Sequence, residues 1–141
     1  MRHGVLAFIV IALAAGCAHT PEGSGAGEAG RATLTGTVTY LQRIALPPDA
    51  EITVSLADVS RADAAAVPLG STTFKADGRQ VPLSWAIAYD PSQVDERMTY
   101  AVSARITIGG QLAWISDTRT PALTRGAPRD SIEVRVRPVG E

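Results

Sequence analysis

From Thr33 onward the chain repeats with a period of two. In TLTGTVTY the apolar Leu34, Val38 and Tyr40 share a face, with Gly36 between them. EITVSLADV sets Ile52, Val54 and Leu56 against Glu51, Thr53 and Ser55, and VPLSWAIAY puts Val81, Leu83, Trp85, Ile87 and Tyr89 on one side. YAVSARITI does the same with Tyr100, Val102, Ala104, Ile106 and Ile108, and SIEVRVR opposes Ile132, Val134 and Val136 to Glu133, Arg135 and Arg137. Side chains of a strand point alternately to opposite faces, so this pattern predicts half-buried antiparallel strands. VPLGSTTFKA and QLAWISD are weaker candidates, which makes about seven strands, and no helical period of useful length is present. The expected fold is all-β: a single antiparallel β-sandwich, immunoglobulin-like in general architecture, over residues 33–141.

The breaks between these runs have their own chemistry. LPPDA (Leu46 to Ala50) is excluded from a central strand because neither proline donates a ladder hydrogen bond. DPSQ (Asp90 to Gln93) pairs an N-cap aspartate with proline at the first helical position, and predicts one helical turn. Tyr100, at the start of a strand, is placed like the tyrosine corner of immunoglobulin-like sandwiches. IGGQ (Ile108 to Gln111) predicts a hairpin whose loop length decides the fate of Trp114. A two-residue loop turns Trp114 to the outer face with Arg105, whereas a three-residue loop sends it into the core beside Ile106.

The residues before Thr33 are of another kind. Arg2 and His3 precede an uninterrupted apolar run from Gly4 to Ala15. A spanning helix needs about 20 residues, so this run reads as the apolar region of an export signal. Ala14, Ala15 and Gly16 lead into Cys17, the only cysteine, in a pattern that resembles a bacterial lipobox. The resemblance implies a signal peptide over residues 1–16, cleaved before Cys17, and acyl chains on that cysteine. The alternative is ordinary cleavage after Ala12-Leu13-Ala14, which leaves a free thiol. One acyl chain anchors marginally, and two or three hold firmly. Ala18 stands where many inner-membrane lipoproteins resemble one another in having aspartate, which points to the outer membrane, facing the periplasm. Residues 17–32 are rich in glycine and small or polar residues and form a predicted flexible linker, with a span of about 20 Å.

Charge and residue inventory restrict the chemistry. A net charge of −1 argues against a nucleic-acid partner. The domain after the linker has no histidine, because the only histidine after Cys17 is His19, so Ser-His-Asp and Cys-His catalysis and histidine-based zinc sites are not expected. The carboxylates, among them Asp58, Asp90, Asp95, Glu96 and Asp117, fall at strand ends and turns, where aspartate bonds the local backbone. Neither a cofactor nor a metal is called for, and the chain is read as a non-enzyme.

Three longer stretches carry a likeness: TGTVTYLQRIALPPDAEITVSLADVSRADA, then RQVPLSWAIAYDPSQVDERMTYAVSARI, then SDT and LTRGAP. In this order they resemble the YbaY/YscW lipoprotein family, over essentially everything after the linker. The family often has proline after SRADA where this chain has Ala65. The resemblance implies a lipid-anchored β-sandwich of the bacterial envelope. It implies a non-catalytic binding or chaperone module, pilotin-like for an outer-membrane client such as a secretin. A structural or ligand-binding envelope lipoprotein that touches glycan or lipid is the other reading. The residues offered as a binding surface are Trp114, Arg105, Arg125 and Arg129. Trp114 qualifies only if exposed, and TRGAPRD (Thr124 to Asp130) is otherwise a loop shaped by Gly126 and Pro128 with solvated arginines.

Overall fold

The computed structural model describes residues 30–140, so the expected signal peptide, Cys17 and most of the linker lie outside the described residues. Eight strands follow one another: β1 (Ala32–Thr39), β2 (Glu51–Asp58), β3 (Val67–Lys75), β4 (Leu83–Tyr89), β5 (Tyr100–Ile108), β6 (Gln111–Ser116), β7 (Thr120–Ala122) and β8 (Ile132–Pro138). The only helical element among the described residues is a 3₁₀ turn, Pro91–Gln93. Asp90 caps that turn by accepting the Ser92 N–H at 2.9 Å, as the DPSQ spacing predicts.

The strands form one path, β3-β2-β5-β6-β8-β1-β4, with β7 attached to β5. This corrects the immunoglobulin-like sandwich to a nearly closed barrel, and the reason is β8. It pairs with β1 in parallel, from Gly36↔Ile132 to Thr39↔Arg135, and with β6 antiparallel, from Trp114↔Pro138 to Ser116↔Val136. One strand thus joins what would otherwise be two sheets, and the sheet is not wholly antiparallel. The path ends, β3 and β4, then lie side by side: a Cβ on Gly70 would meet the Ala88 carbonyl oxygen at 2.7 Å.

The inward face is the apolar register of the sequence. Leu34, Val38, Ile52, Val54, Leu56, Ile87, Val102, Ile106 and Val134 are fully buried and most other inward positions nearly so, while Val81 and Ile108 are partly buried against them. Burying such aliphatic side chains contributes roughly 1.5–3 kcal/mol each, and this closes the barrel around one core. Tyr100 is buried, its hydroxyl accepting the Asp95 N–H at 2.9 Å and donating to the Gln93 carbonyl at 3.3 Å. The tyrosine-corner contact is therefore present, in a barrel.

The strand directions sort the loops by pole. The first pole collects the chain's entry at Gly30 and the β2–β3, β4–β5 and β6–β8 connections. The second collects the β1–β2 and β3–β4 loops, the β5–β6 hairpin and the end of β8.

Candidate functional site

A groove of about 540 Å³ lies on the outside of the barrel, over β2 and β5. Its floor follows from register. Thr53 lies opposite Arg105, Ser55 opposite Ser103 and Ala57 opposite Ala101, all on the face away from the core. These side chains are small apart from Arg105, so the floor is low. Val59 and Ala66 line the groove, together with Ile115, Asp117, Thr118 and Arg119.

One rim exists because β5 changes partner along its length. β6 pairs with Arg105 to Ile108 and β7 with Tyr100 to Val102, and between the two the chain leaves the ladder. Ser116 fills the gap: its hydroxyl accepts the Ala104 N–H and donates to the Ala104 carbonyl at 3.0 Å. Residues 117–119 then run from β6 to β7 along the groove. Ile115 is 42% exposed there, while Ala101 is buried although it faces outward.

The electrostatics of this rim are unbalanced. Among the described residues, the side chains of Arg105 and Arg119 have no hydrogen-bond or ion-pair partner. Asp117 accepts the Thr118 hydroxyl at 3.2 Å. The lining therefore holds two guanidinium groups and one carboxylate.

The other residues of the expected binding surface lie elsewhere. Trp114 is 5% exposed and stacks on Tyr40 with ring centroids 4.2 Å apart, which removes it from the surface. The hairpin does have a two-residue Gly109-Gly110 loop with Ile108↔Gln111, the arrangement expected to expose it. A bulge corrects the register one pair later: Thr107 pairs with Leu112 and Ile106 with Trp114, so Ala113 is the extra residue and Trp114 turns inward. Arg125 and Arg129 sit in the β7–β8 loop and hold the β4–β5 loop. Arg125 donates to the Arg97 carbonyl at 2.8 Å, and Arg129 pairs with Glu96 at 2.8 Å. Thr124, 3% exposed, adds a bond of its own, donating to the Met98 carbonyl at 2.7 Å. Of the four residues, Arg105 alone lines the groove.

Sequence reading missed Arg119, Ile115 and Asp117 as its companions. The available signal was a polar stretch, SDTRT, between two segments that both belong beside β5. Carboxylates near the first pole are held by local bonds. The bidentate Arg97 guanidinium brings Asp95 down to about 2, and the Ser60 and Ser92 hydroxyls lower Asp58 and Asp90. Among the described residues, no group of three or more His, Cys, Asp or Glu is placed to hold a metal. The second pole carries exposed aliphatics instead, Leu41, Ile44, Leu112 and Val139.

Three comparisons with known proteins converge on this chain. The family model described as type III secretion system lipoprotein chaperone (YscW) matches residues 29–134, which include the whole groove. The uncharacterized lipoprotein YbaY of Escherichia coli (strain K12) is 36% identical over 96 residues, 68% of this chain and 50% of that protein. The chain thus spans about half the length of that relative. An alternative pilotin from the type II secretion system of Vibrio cholerae has a solved structure that is 38% identical, covers 76% of this chain and 97% of its own, and superposes with a TM-score of 0.71.

Proposed function

The chain belongs to the YscW family, and from that membership we propose that it is a lipid-anchored, non-catalytic envelope lipoprotein that holds an outer-membrane protein client in the manner of a pilotin. Cys17 is the lipid attachment site in this reading, residues 17–32 are the tether, and the barrel stands at the periplasmic face of the outer membrane. The observation that carries the reading is the outer groove over β2 and β5. It is a concave surface with an exposed isoleucine and two arginine side chains without partners, inside the segment that the family model matches. A surface that is apolar in part and cationic at its rim suits protein docking. The glycan- or lipid-contact reading loses its best feature, an exposed Trp114, with that side chain buried.

The test is expression in a Gram-negative host beside Cys17→Ser, followed by intact-mass measurement, membrane fractionation and crosslinking in place to a co-expressed secretin. A mass gain at Cys17, outer-membrane location lost in the variant, and a secretin crosslink are the expected outcomes. A free thiol on a soluble mature chain would overturn the anchor, and absence of any secretin crosslink would overturn the client.

A further inference from the structure

We infer that the second pole of the barrel rests on an anionic phospholipid leaflet, with Leu41 and Ile44 seated among the headgroups and Arg43 between them against the phosphates. This adds a membrane contact to the envelope reading and rests on it for the choice of occupant.

The apolar half of that pole is a built surface. Leu41 is 74% exposed, Ile44 60%, Val139 50% and Leu112 42%. The Tyr40–Trp114 stack ties them into one patch. Leu41 follows Tyr40, whose hydroxyl donates to the Ile44 carbonyl. Leu112 and Val139 flank Ala113, which precedes Trp114 and whose carbonyl accepts the Val139 N–H at 2.9 Å. The loop is fixed at its far end as well, where the Gln80 side chain accepts the Leu46 N–H at 2.8 Å and donates to the Leu46 carbonyl at 3.1 Å. Residues 41–45 therefore stand out between two fixed ends, and covering their side chains costs little further ordering. Exposed aliphatic groups gathered in this way mark an interaction surface.

The chemistry of the occupant follows from charge and shape. Among the described residues, the segments of this half, 40–48, 108–113 and 136–140, carry Arg43 and Arg137 and no carboxylate. The carboxylates of the pole, Asp49, Glu51 and Asp77, belong to the side toward β3, where Glu51 lies opposite Lys75. Aliphatic tips beside arginine suit a leaflet of anionic lipid, because apolar area enters the headgroup boundary and the cation strengthens the contact. The tips project, and a fluid leaflet conforms to them without a shaped counterpart. Irregular backbone is not tolerated in hydrocarbon, so the contact stops at the headgroup layer.

The tether has the length to allow it, although the chain enters at the first pole. β1 spans 8 residues, about 26 Å at most along the barrel. The 13 residues from Cys17 to Ala29 reach about 45 Å when extended. A lipid on Cys17 thus leaves the second pole free to come down on the same leaflet, and keeps it close to that surface.

The test couples the mature chain, residues 17–141, through the Cys17 thiol to a maleimide-bearing lipid in vesicles of phosphatidylethanolamine and phosphatidylglycerol. The tether is then present whether or not a cell acylates that cysteine. Hydrogen exchange read by mass spectrometry compares the coupled chain with the free one. Amides of residues 41–45 and 109–112 should exchange about threefold or more slowly on the vesicle, and those of residues 60–66, at the first pole, should not change. Leu41→Ser/Ile44→Ser should abolish the slowing, and Arg43→Glu or vesicles of phosphatidylcholine alone should weaken it. Unchanged circular dichroism spectra keep the variants comparable. Equal exchange on and off the vesicle, slowing at the first pole instead, or slowing indifferent to these variants overturns the proposal. A dimer of the free chain in sedimentation, with these amides already slow and both lost in Leu41→Ser/Ile44→Ser, assigns the face to a second copy and overturns it too. The intact mass of protein made in a Gram-negative host separates this contact from the anchor. A free thiol at Cys17 with slowing on the coupled vesicle overturns the anchor and keeps the contact, and an acylated chain without slowing does the reverse.

Discussion

At the scale of the residue, Ser116 performs with one hydroxyl what a neighbouring strand performs elsewhere on β5. Ala104 is nearly buried, and its N–H and C=O point to the side where β6 has just departed. The Ser116 hydroxyl answers both groups. Ser116→Ala leaves a buried amide and carbonyl without that partner, for which the expected loss is about 1–3 kcal/mol. Urea unfolding monitored by circular dichroism measures it, and a midpoint unchanged from the parent chain contradicts the assignment. The same substitution should slacken residues 117–119, and with them Arg119. Trp114 illustrates the opposite residue-scale lesson: its indole is a core member whose partner is Tyr40, whose own hydroxyl is tied to the Ile44 carbonyl. Trp114→Ala should therefore cost about 3–5 kcal/mol, far beyond the effect of losing a surface aromatic.

At the scale of the element, the β5–β6 hairpin shows why a loop length does not fix a face. Gly109 and Gly110 both have positive φ, 58° and 78°, which suits a two-residue type I′ connection. Alternation from that turn would put Trp114 outside, and Ala113 reverses it by inserting one unpaired residue. Deleting Ala113 should leave an unbulged hairpin in which the tryptophan still faces inward, because Thr107↔Leu112 and Ile106↔Trp114 become consecutive pairs. The chain should lose about 1 kcal/mol, in step with the lost Val139 N–H bond to Ala113. A tryptophan emission maximum that moves to the red on deletion would show the register account to be wrong. The β4–β5 loop makes a prediction of its own. Asp95 is held to about 2 by Arg97, below its ordinary 3.8, so its stabilisation of this turn is complete above that ordinary value and fades as pH falls toward 2. Asp90, lowered by Ser92, changes in the same direction. Amide exchange of residues 91–99 should rise between about pH 4 and pH 2 ahead of the barrel strands, and Arg97→Ala should move the onset to higher pH.

At the scale of the whole molecule, closure is what the linear pattern left undetermined. Alternation identifies which side chains of each strand are buried, and the buried set from Leu34 to Val136 follows it. A sandwich and a barrel share that pattern, because in both each strand buries one face. The difference lies in β8, whose parallel pairing with β1 joins residues about a hundred positions apart and has no local signature. The groove was half legible for the same reason: Arg105 sits on a periodic strand, whereas Arg119 reaches it through a break in pairing. What closure leaves is a seam between β3 and β4, where the absence of a side chain at Gly70 allows the two strands to approach. A Cβ there would lie 2.7 Å from the Ala88 carbonyl oxygen and 2.9 Å from the Ile87 Cγ2. The first contact is with backbone, which has no rotamer to escape into, so Gly70→Val must separate the strands. The expected loss is about 1–3 kcal/mol. Amide exchange should accelerate in β3 and β4 and stay slow in β5 and β6, which flank the groove and do not form the seam. If protection fell evenly over all strands, closure would be a property of the whole core; if it fell at the seam alone, the barrel is held shut there.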